Sequence, residues 1–314
     1  MSTQVTTAFV EQYKNNVAML VQQKGSLLRN FVTVDSGVVG KNKFTEQIGS
    51  TTAVERTSRH GDSPLMDTPH SRRRLSLADY EWGDLVDDAD KVRMLIDPTS
   101  SYAQSAAWAM GRAMDDVILA AINGEAATGV AGGTDLGLSD GVLAHASNQL
   151  VDKDYGEGSD TNLTLAKLQR AQAIFQENNV DPDEEKFIVV KPAQIQALLQ
   201  LEKATSADYT SVKALLNGEI NTYMGFTFII NNRVGSGSTY QGDAGDSTST
   251  TDHCICWVRS GVELGIGADI KARISERPDK AYSTYVYYAM SIGCTRLEEE
   301  KVVQIDCVNT AGLG

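Results

Sequence analysis

The chain has 314 residues, 41% hydrophobic and 22% charged, with a formal net charge of −13 and a sequence pI near 4.8. That profile excludes a disordered or fibrous chain and suits one large soluble domain or two or three smaller ones. An acidic surface repels polyphosphate on average, so general nucleic-acid affinity would require a segregated basic patch.

Four cysteines, Cys254, Cys256, Cys294 and Cys307, are too few to staple a chain of this length and suit a reducing compartment. The opening "MSTQVTTAFVEQYKNNVAML" lacks a basic region followed by an apolar one, and no apolar run reaches the ~18 residues of a bilayer span. The expectation is a cytoplasmic product with no membrane partner.

Phe9, Tyr13, Val17 and Leu20 predict a short amphipathic helix that stops before Gly25. From Ser26 to about Asp97 the chain is poor in continuous apolar content. Such a segment buries too little by itself and is expected to lie on another domain or subunit. "DPTSSYAQSAAWAMGRAMDDVILAAIN", residues 97–123, predicts a long helix with Asp97 as N-cap and Pro98 in its first turn. Its expected apolar stripe is Ala106, Met110, Ala113, Val117, Ala120 and Ala121, with Arg112, Asp115 and Asp116 off it.

Residues 124–161 are rich in Gly, Ser and Asp and predict a surface excursion. "TLAKLQRAQAIFQENN" predicts a helix burying Leu165, Leu168, Ala171 and Phe175, followed by the strand "FIVV" and a helix opened by Pro192. "GEINTYMGFTFIINNRV" predicts two strands turning at Met224-Gly225, and the polar run 235–252 an exposed loop. The rest is strand-rich: in "AYSTYVYYAMSIGCTRLEEEKVVQIDC", Tyr285, Tyr287 and Ala289 alternate with Val286, Tyr288, Met290 and Ile292.

Motifs of catalysis do not assemble. Gly40-Lys41-Asn42 lacks the hydroxyl and upstream glycine of a phosphate loop, and "GSGSTYQG" lacks the strand and helix that frame a nucleophile elbow. In "HCIC" a strand would put Cys254 and Cys256 on one face and His253 on the other, which favours buried thiols over a metal site. Asp152, Asp154, Glu157 and Asp160 lack calcium-loop spacing, and His60, His70, His145 and His253 join no nucleophile constellation. No cofactor is expected. An enzyme or small-molecule binding protein using residues 180–234 is the alternative from another class.

"INTYMGFTFIINNRV" and the closing "AYSTYVYYAMSIGCTRLEEEKVVQIDC", in this order with the other elements, resemble the major capsid proteins of tailed bacteriophages, podovirus-like members of the Hong Kong 97 type fold. The resemblance implies an α+β fold in five segments: an N-terminal arm at 1–34, an extended two-stranded β loop at 35–80, and a peripheral domain at 81–179 with spine helix 98–123. An axial α/β domain at 180–260 and strands returning to the peripheral domain at 261–314 complete it. It implies a structural, non-enzymatic shell protein that self-assembles into hexamers and pentamers around double-stranded DNA. It also implies a separate scaffolding protein and a portal as partners, leaves room for a decoration protein, and places the product in the virion. An encapsulin-like compartment shell is the alternative within the same architecture. Some relatives crosslink subunits through a lysine of the extended loop, where Lys41 and Lys43 lie, but nothing identifies a partner asparagine or catalytic carboxylate.

"HSRRRLSLADYEWGDLVDDAD", residues 70–90, sets Arg72, Arg73 and Arg74 before Asp79, Glu81, Asp84, Asp87, Asp88 and Asp90. Without interleaved aromatics, and with six acids behind it, the triplet is a poor nucleic-acid grip. "RRLS" also matches a basic-directed phosphorylation pattern at Ser76 of a length common by chance. On the returning strand of an extended loop the arginines would project over one neighbouring subunit while Asp79, Glu81 and Asp84 meet another, giving a self-complementary charge seam.

Overall fold

The Ala-rich stretch after residue 98 is a 25-residue helix, α1 (Thr99–Asn123), in a computed structural model that describes residues 22–59, 61–86, 99–129, 140–143, 147–200, 222–234 and 251–308. The expected helix around Phe9 to Leu20, the N-cap Asp97, His60, His145, Asp87, Asp88, Asp90 and most of the run 235–252 lie outside these residues. The buried side of α1 shares Ala106 and Met110 with the expected stripe and departs from it after them. Ala106, Met110, Met114, Ile118 and Ile122 are buried at four-residue spacing with Leu119 beside them, and Ala120 is exposed. Alanines make several faces almost equally apolar, so the larger side chains, which remove more area from water, decide the rotation. Asp115, expected off the stripe, is fully buried, and its carboxylate accepts from the backbone N–H groups of Leu27 and Leu28 at 3.1 Å and from Asn231 Nδ2 at 3.3 Å.

Two compact units form, one from the described residues through Ser26 with Asp79–Ala113 and Ala268–Ser291, the other from Leu27–Ala78, Met114–Gly267 and Ile292 onward. Each unit is closed by strands far apart in the chain.

In the first unit, β4 (Ala78–Val86) lies beside β13 (Ser283–Arg296), which lies beside β12 (Val262–Arg277). The alternation expected in β13 is present: Val286, Met290 and Ile292 are buried, while Tyr285 and Tyr287 stack on the other side at 5.8 Å. Gly83 is required under Tyr285, since a Cβ there would sit 2.2 Å from the phenolic oxygen. Trp82 meets Tyr288 edge-on at 6.5 Å, and the Tyr287 hydroxyl bonds to Glu81. Residues 22–26 run across the middle of α1: Arg112 donates to Gln22 Oε1 at 2.9 Å, and Lys24 stands over Trp108.

The second unit is built on a six-stranded sheet of β7 (Leu150–Val151), β14 (Val302–Val308), β11 (Thr251–Val258), β8 (Lys186–Val190), β10 (Phe226–Ile230) and β9 (Thr222–Tyr223), in that spatial order. On one face lie α2 (Leu165–Glu177) and α3 (Pro192–Gln200). Thr164 caps α2 as a side-chain acceptor for Lys167 N–H. Leu168, Ala171 and Phe175 are buried as expected, against Ile188, Phe226, Cys256 and Ile305. Met224 and Gly225 both take positive φ, 52° and 80°, and Tyr223 pairs with Phe226: the expected turn is the two-residue hairpin that this backbone favours. Cys254, Cys256 and Cys307 join the same core, where burial pushes the Cys256 thiol well above its ordinary range. On the opposite face Trp257 donates its indole N–H to Phe31 O at 3.0 Å, and His253 Nδ1 meets Asp306 Oδ1 at 2.7 Å.

The second unit also carries a four-stranded sheet, β2 (Asn42–Ile48), β3 (His70–Ser76), β5 (Ala126–Gly129) and β6 (Asp140–Leu143). The Gly-rich residues expected as surface excursion thus contribute two strands to this sheet and β7 to the other. Their pairing partners, such as Arg73 opposite Thr128, are remote in sequence, which local composition cannot report. β1 (Thr33–Ser36) runs parallel to the start of β12, Thr33 opposite Glu263.

Candidate interaction surface

β2 and β3 form an antiparallel ladder from Asn42 opposite Ser76 to Ile48 opposite His70. The residues between them, 49–69, contain no strand, and nearly all of those described are exposed, Leu65 to 99% and Val54 to 60%. A two-stranded ribbon ending in a long exposed loop is unstable alone, so its root must be held.

The alternation of the strands decides how. Odd-numbered residues turn toward the rest of the unit. Gln47 Nε2 at 2.7 Å and Arg73 Nε at 3.0 Å donate to one carbonyl, that of Leu297, and Leu75 is 1% exposed. Lys43 Nζ donates to Asp35 Oδ2 and Glu263 Oε1, and Thr45 Oγ1 donates to the same Glu263 at 3.0 Å. Even-numbered residues form the outer face: Phe44 and Ile48 are exposed, the latter to 70%, and Arg72 pairs with Glu46 and lies over the Phe44 ring.

The arginine triplet is therefore split rather than presented outward as a block. Arg72 and Arg74 belong to the outer face. Arg73 is 8% exposed, and burial pushes its guanidinium below its ordinary value, opposed by Glu299. Lys41 is exposed at the foot of β2, where its carbonyl accepts from Leu77 N–H. Asp79, Glu81 and Asp84 are exposed along β4.

Lys43 is bound within its own chain. Burial alone would lower its ammonium, but the bonds to Asp35 and Glu263 outweigh this and hold it above the ordinary lysine value. A proton held so firmly disfavours nucleophilic chemistry at this nitrogen. Lys43→Met is expected to destabilise the fold by about 3 kcal/mol, because Glu263, whose side chain is 5% exposed, loses its cation. Urea unfolding at neutral pH checks this, and adding Glu263→Gln should recover most of the loss. The sign follows from the raised folded-state value: the lysine's contribution is complete below its ordinary 10.5 and fades as the pH climbs through the folded value.

Below the ladder, Arg296 is fully buried and donates Nη1 to the carbonyls of Ile122 at 2.6 Å and Gly124 at 2.9 Å, at the end of α1, and Nε to Glu299 Oε1 at 2.8 Å. Burial pushes the Glu299 carboxyl up, opposed by Arg296 and Arg73. Glycines fix the approach of β3. A Cβ on Gly293 would lie 2.2 Å from Ser76 O, and one on Gly265 would lie 2.8 Å from Leu75 Cδ2.

Asp35, Glu263, Arg296 and the Leu297 carbonyl were not singled out by sequence reasoning. Their partners stand up to 224 positions away, and no local pattern marks such pairs. Beside the root lies a groove of about 930 Å3 between the ribbon and the rest of the unit, walled by residues 45–50 with Ser71 and Arg73, by Asn179, Asp181 and Glu184 after α2, and by Glu298 and Glu300.

The same mixed α/β arrangement occurs in solved phage capsids. The cyanophage P-SCSP1u capsid matches with a TM-score of 0.71 at 14% identity, covering 99% of this chain and 96% of that one. The cyanophage Pam1 capsid matches with a TM-score of 0.69 at 15% identity, covering 98% of each chain. The capsid of Ralstonia phage GP4 has a TM-score of 0.69 at 12% identity, covering 96% of this chain and 95% of the other. No curated protein matches the sequence. The fold is thus that of phage capsid proteins. The sequence itself matches the family described as phage capsid protein over residues 5–309, and the chain belongs to that family.

Proposed function

We propose that the chain is the major capsid protein of a tailed bacteriophage, a non-enzymatic subunit that assembles into hexamers and pentamers and closes an icosahedral head around double-stranded DNA. The observation that carries this reading is the β2–β3 projection. Its root is held by Lys43, Gln47 and Arg73, while Phe44, Ile48 and the loop beyond them stay exposed within their own chain. A neighbouring copy supplies the missing cover, and a closed shell supplies one to every subunit.

Within this reading residues 35–80 are the extended loop, α1 the spine of a peripheral domain, and the sheet carrying β8 and β10 the core of an axial domain. Arg72 and Arg74, with Lys41, meet Asp79, Glu81 and Asp84 of adjacent copies; Arg73 and Lys43 stiffen the projection from within. Single exposed pairs contribute about 0–1 kcal/mol, and the shell repeats them. The net charge of −13 leaves the packaged DNA free of tight general binding. A separate scaffolding protein and a portal direct assembly in the host cytoplasm, and the outer surface is open to a decoration protein.

Electron microscopy of the expressed chain, with and without its scaffolding partner, tests this. Rings or shells are expected, and only small monodisperse particles under every condition would contradict it. Arg72→Glu with Arg74→Glu should abolish shells while the isolated chain still unfolds cooperatively, with a midpoint lowered by a few degrees, since both side chains are half-buried and Glu46 loses its cation.

A further inference from the structure

Among the open strand edges of the described residues are those of β2 and of the far part of β12. β2 is the outermost strand of its sheet, and the groove of about 930 Å3 runs along residues 45–50 at its end. β12 pairs with β1 only as far as Ile266, and beyond that point no described strand covers its edge away from β13. An uncovered edge is a row of unpaired N–H and C=O groups, a template for another chain.

The charges on the two edges are opposite. Glu46, Asp181, Glu184, Glu298 and Glu300 line the groove against Arg73 and Lys301. Of these, Glu46 pairs with Arg72, Glu298 with Lys301 at 3.0 Å, and Glu184 accepts from the Ser260 hydroxyl at 3.1 Å, while the carboxylates of Asp181 and Glu300 stand exposed on the wall. On the open part of β12, Lys271 and Arg273 are exposed two residues apart, on one side of the strand and roughly 6.7 Å from each other.

We infer that the groove beside β2 receives the open edge of β12 from a second copy of this chain, with Lys271 and Arg273 meeting the carboxylates of Asp181 and Glu300. The contact rests on the shell reading and names one of its joints. Main-chain pairing along the β2 edge supplies affinity, and the charges fix which strand enters and in which register. It buries two edges that otherwise invite disordered aggregation.

Charge reversal on each side tests it in the full-length chain. Asp181→Lys with Glu300→Lys, and separately Lys271→Glu with Arg273→Glu, are each expected to lower the yield of sedimentable shells by about tenfold or more. The chain carrying all four substitutions is expected to recover to within about twofold of wild type. Thermal unfolding of each variant controls for folding. If a reversal lowers the midpoint, the neutral forms Glu300→Gln and Arg273→Gln replace it, with a smaller loss of yield expected from each.

Reversals that assemble like wild type overturn the contact, and so does a fourfold variant that stays defective when both pairs fail. A groove reversal that fails beside an edge reversal that assembles normally means another occupant and also overturns it. A wild-type chain that forms no shell under any condition removes the shell reading and this joint together, an outcome distinct from the other three.

Discussion

Arg296→Met is expected to cost about 3–5 kcal/mol, a large share of the stability of a domain this size. Arg296 is fully buried and gives two hydrogen bonds to carbonyls at the end of α1, Ile122 and Gly124, and one to Glu299. The last carbonyls of a helix have no partner within it and carry the negative end of its dipole, so a buried cation there meets both needs at once. Methionine fills similar volume but leaves those acceptors dry and Glu299 with one less positive neighbour. Chemical denaturation of the isolated chain should show the midpoint falling with little change in slope. Lysine at the same position should recover only part of the loss, because it lacks the planar fork that serves helix end and carboxylate together.

Gly293→Ala is expected to be nearly as damaging, at about 2–4 kcal/mol, although it adds a single methyl group. The new Cβ would stand 2.2 Å from the carbonyl oxygen of Ser76 and 2.9 Å from its carbon, both backbone atoms in a paired strand. Neither can yield without moving β3, and moving β3 disturbs Arg73 and Leu75. The Gly265→Ala variant makes an instructive comparison. There the obstacle is Leu75 Cδ2 at 2.8 Å, a side-chain tip that can rotate, so a smaller loss is expected. Thermal unfolding of the two variants side by side checks the ranking.

What could be read directly from the residues was local. α1 needed only a long Ala-rich run, α2 its spacing of Leu168, Ala171 and Phe175, and the β9–β10 hairpin the pair Met224-Gly225. The ambiguity lay where several residues were equally apolar, as with the alanines of α1, and there the rotation of the helix was set by what packs on it. Asp115 shows the same limit: a carboxylate on a helix looks solvent-facing until the backbone of Leu27 and Leu28 arrives to occupy it. The arginine triplet is visible in the sequence as a block of charge, and strand alternation along β3 separates Arg73 from Arg72 and Arg74. The clasp of Lys43 by Glu263 and the seat of Arg296 lie beyond any local pattern, because both join parts of the chain that only the completed fold brings together.

The position of β14 carries a consequence for timing. It sits second in the six-stranded sheet, between β7 and β11, yet it is synthesised more than 100 residues after β8. At translation rates of about 5–20 residues per second, the half-made sheet waits on the order of ten seconds for it. A nascent chain that has made β8 but not β14 therefore has an unfinished sheet, and it has no completed body to offer a neighbour until β14 is in place.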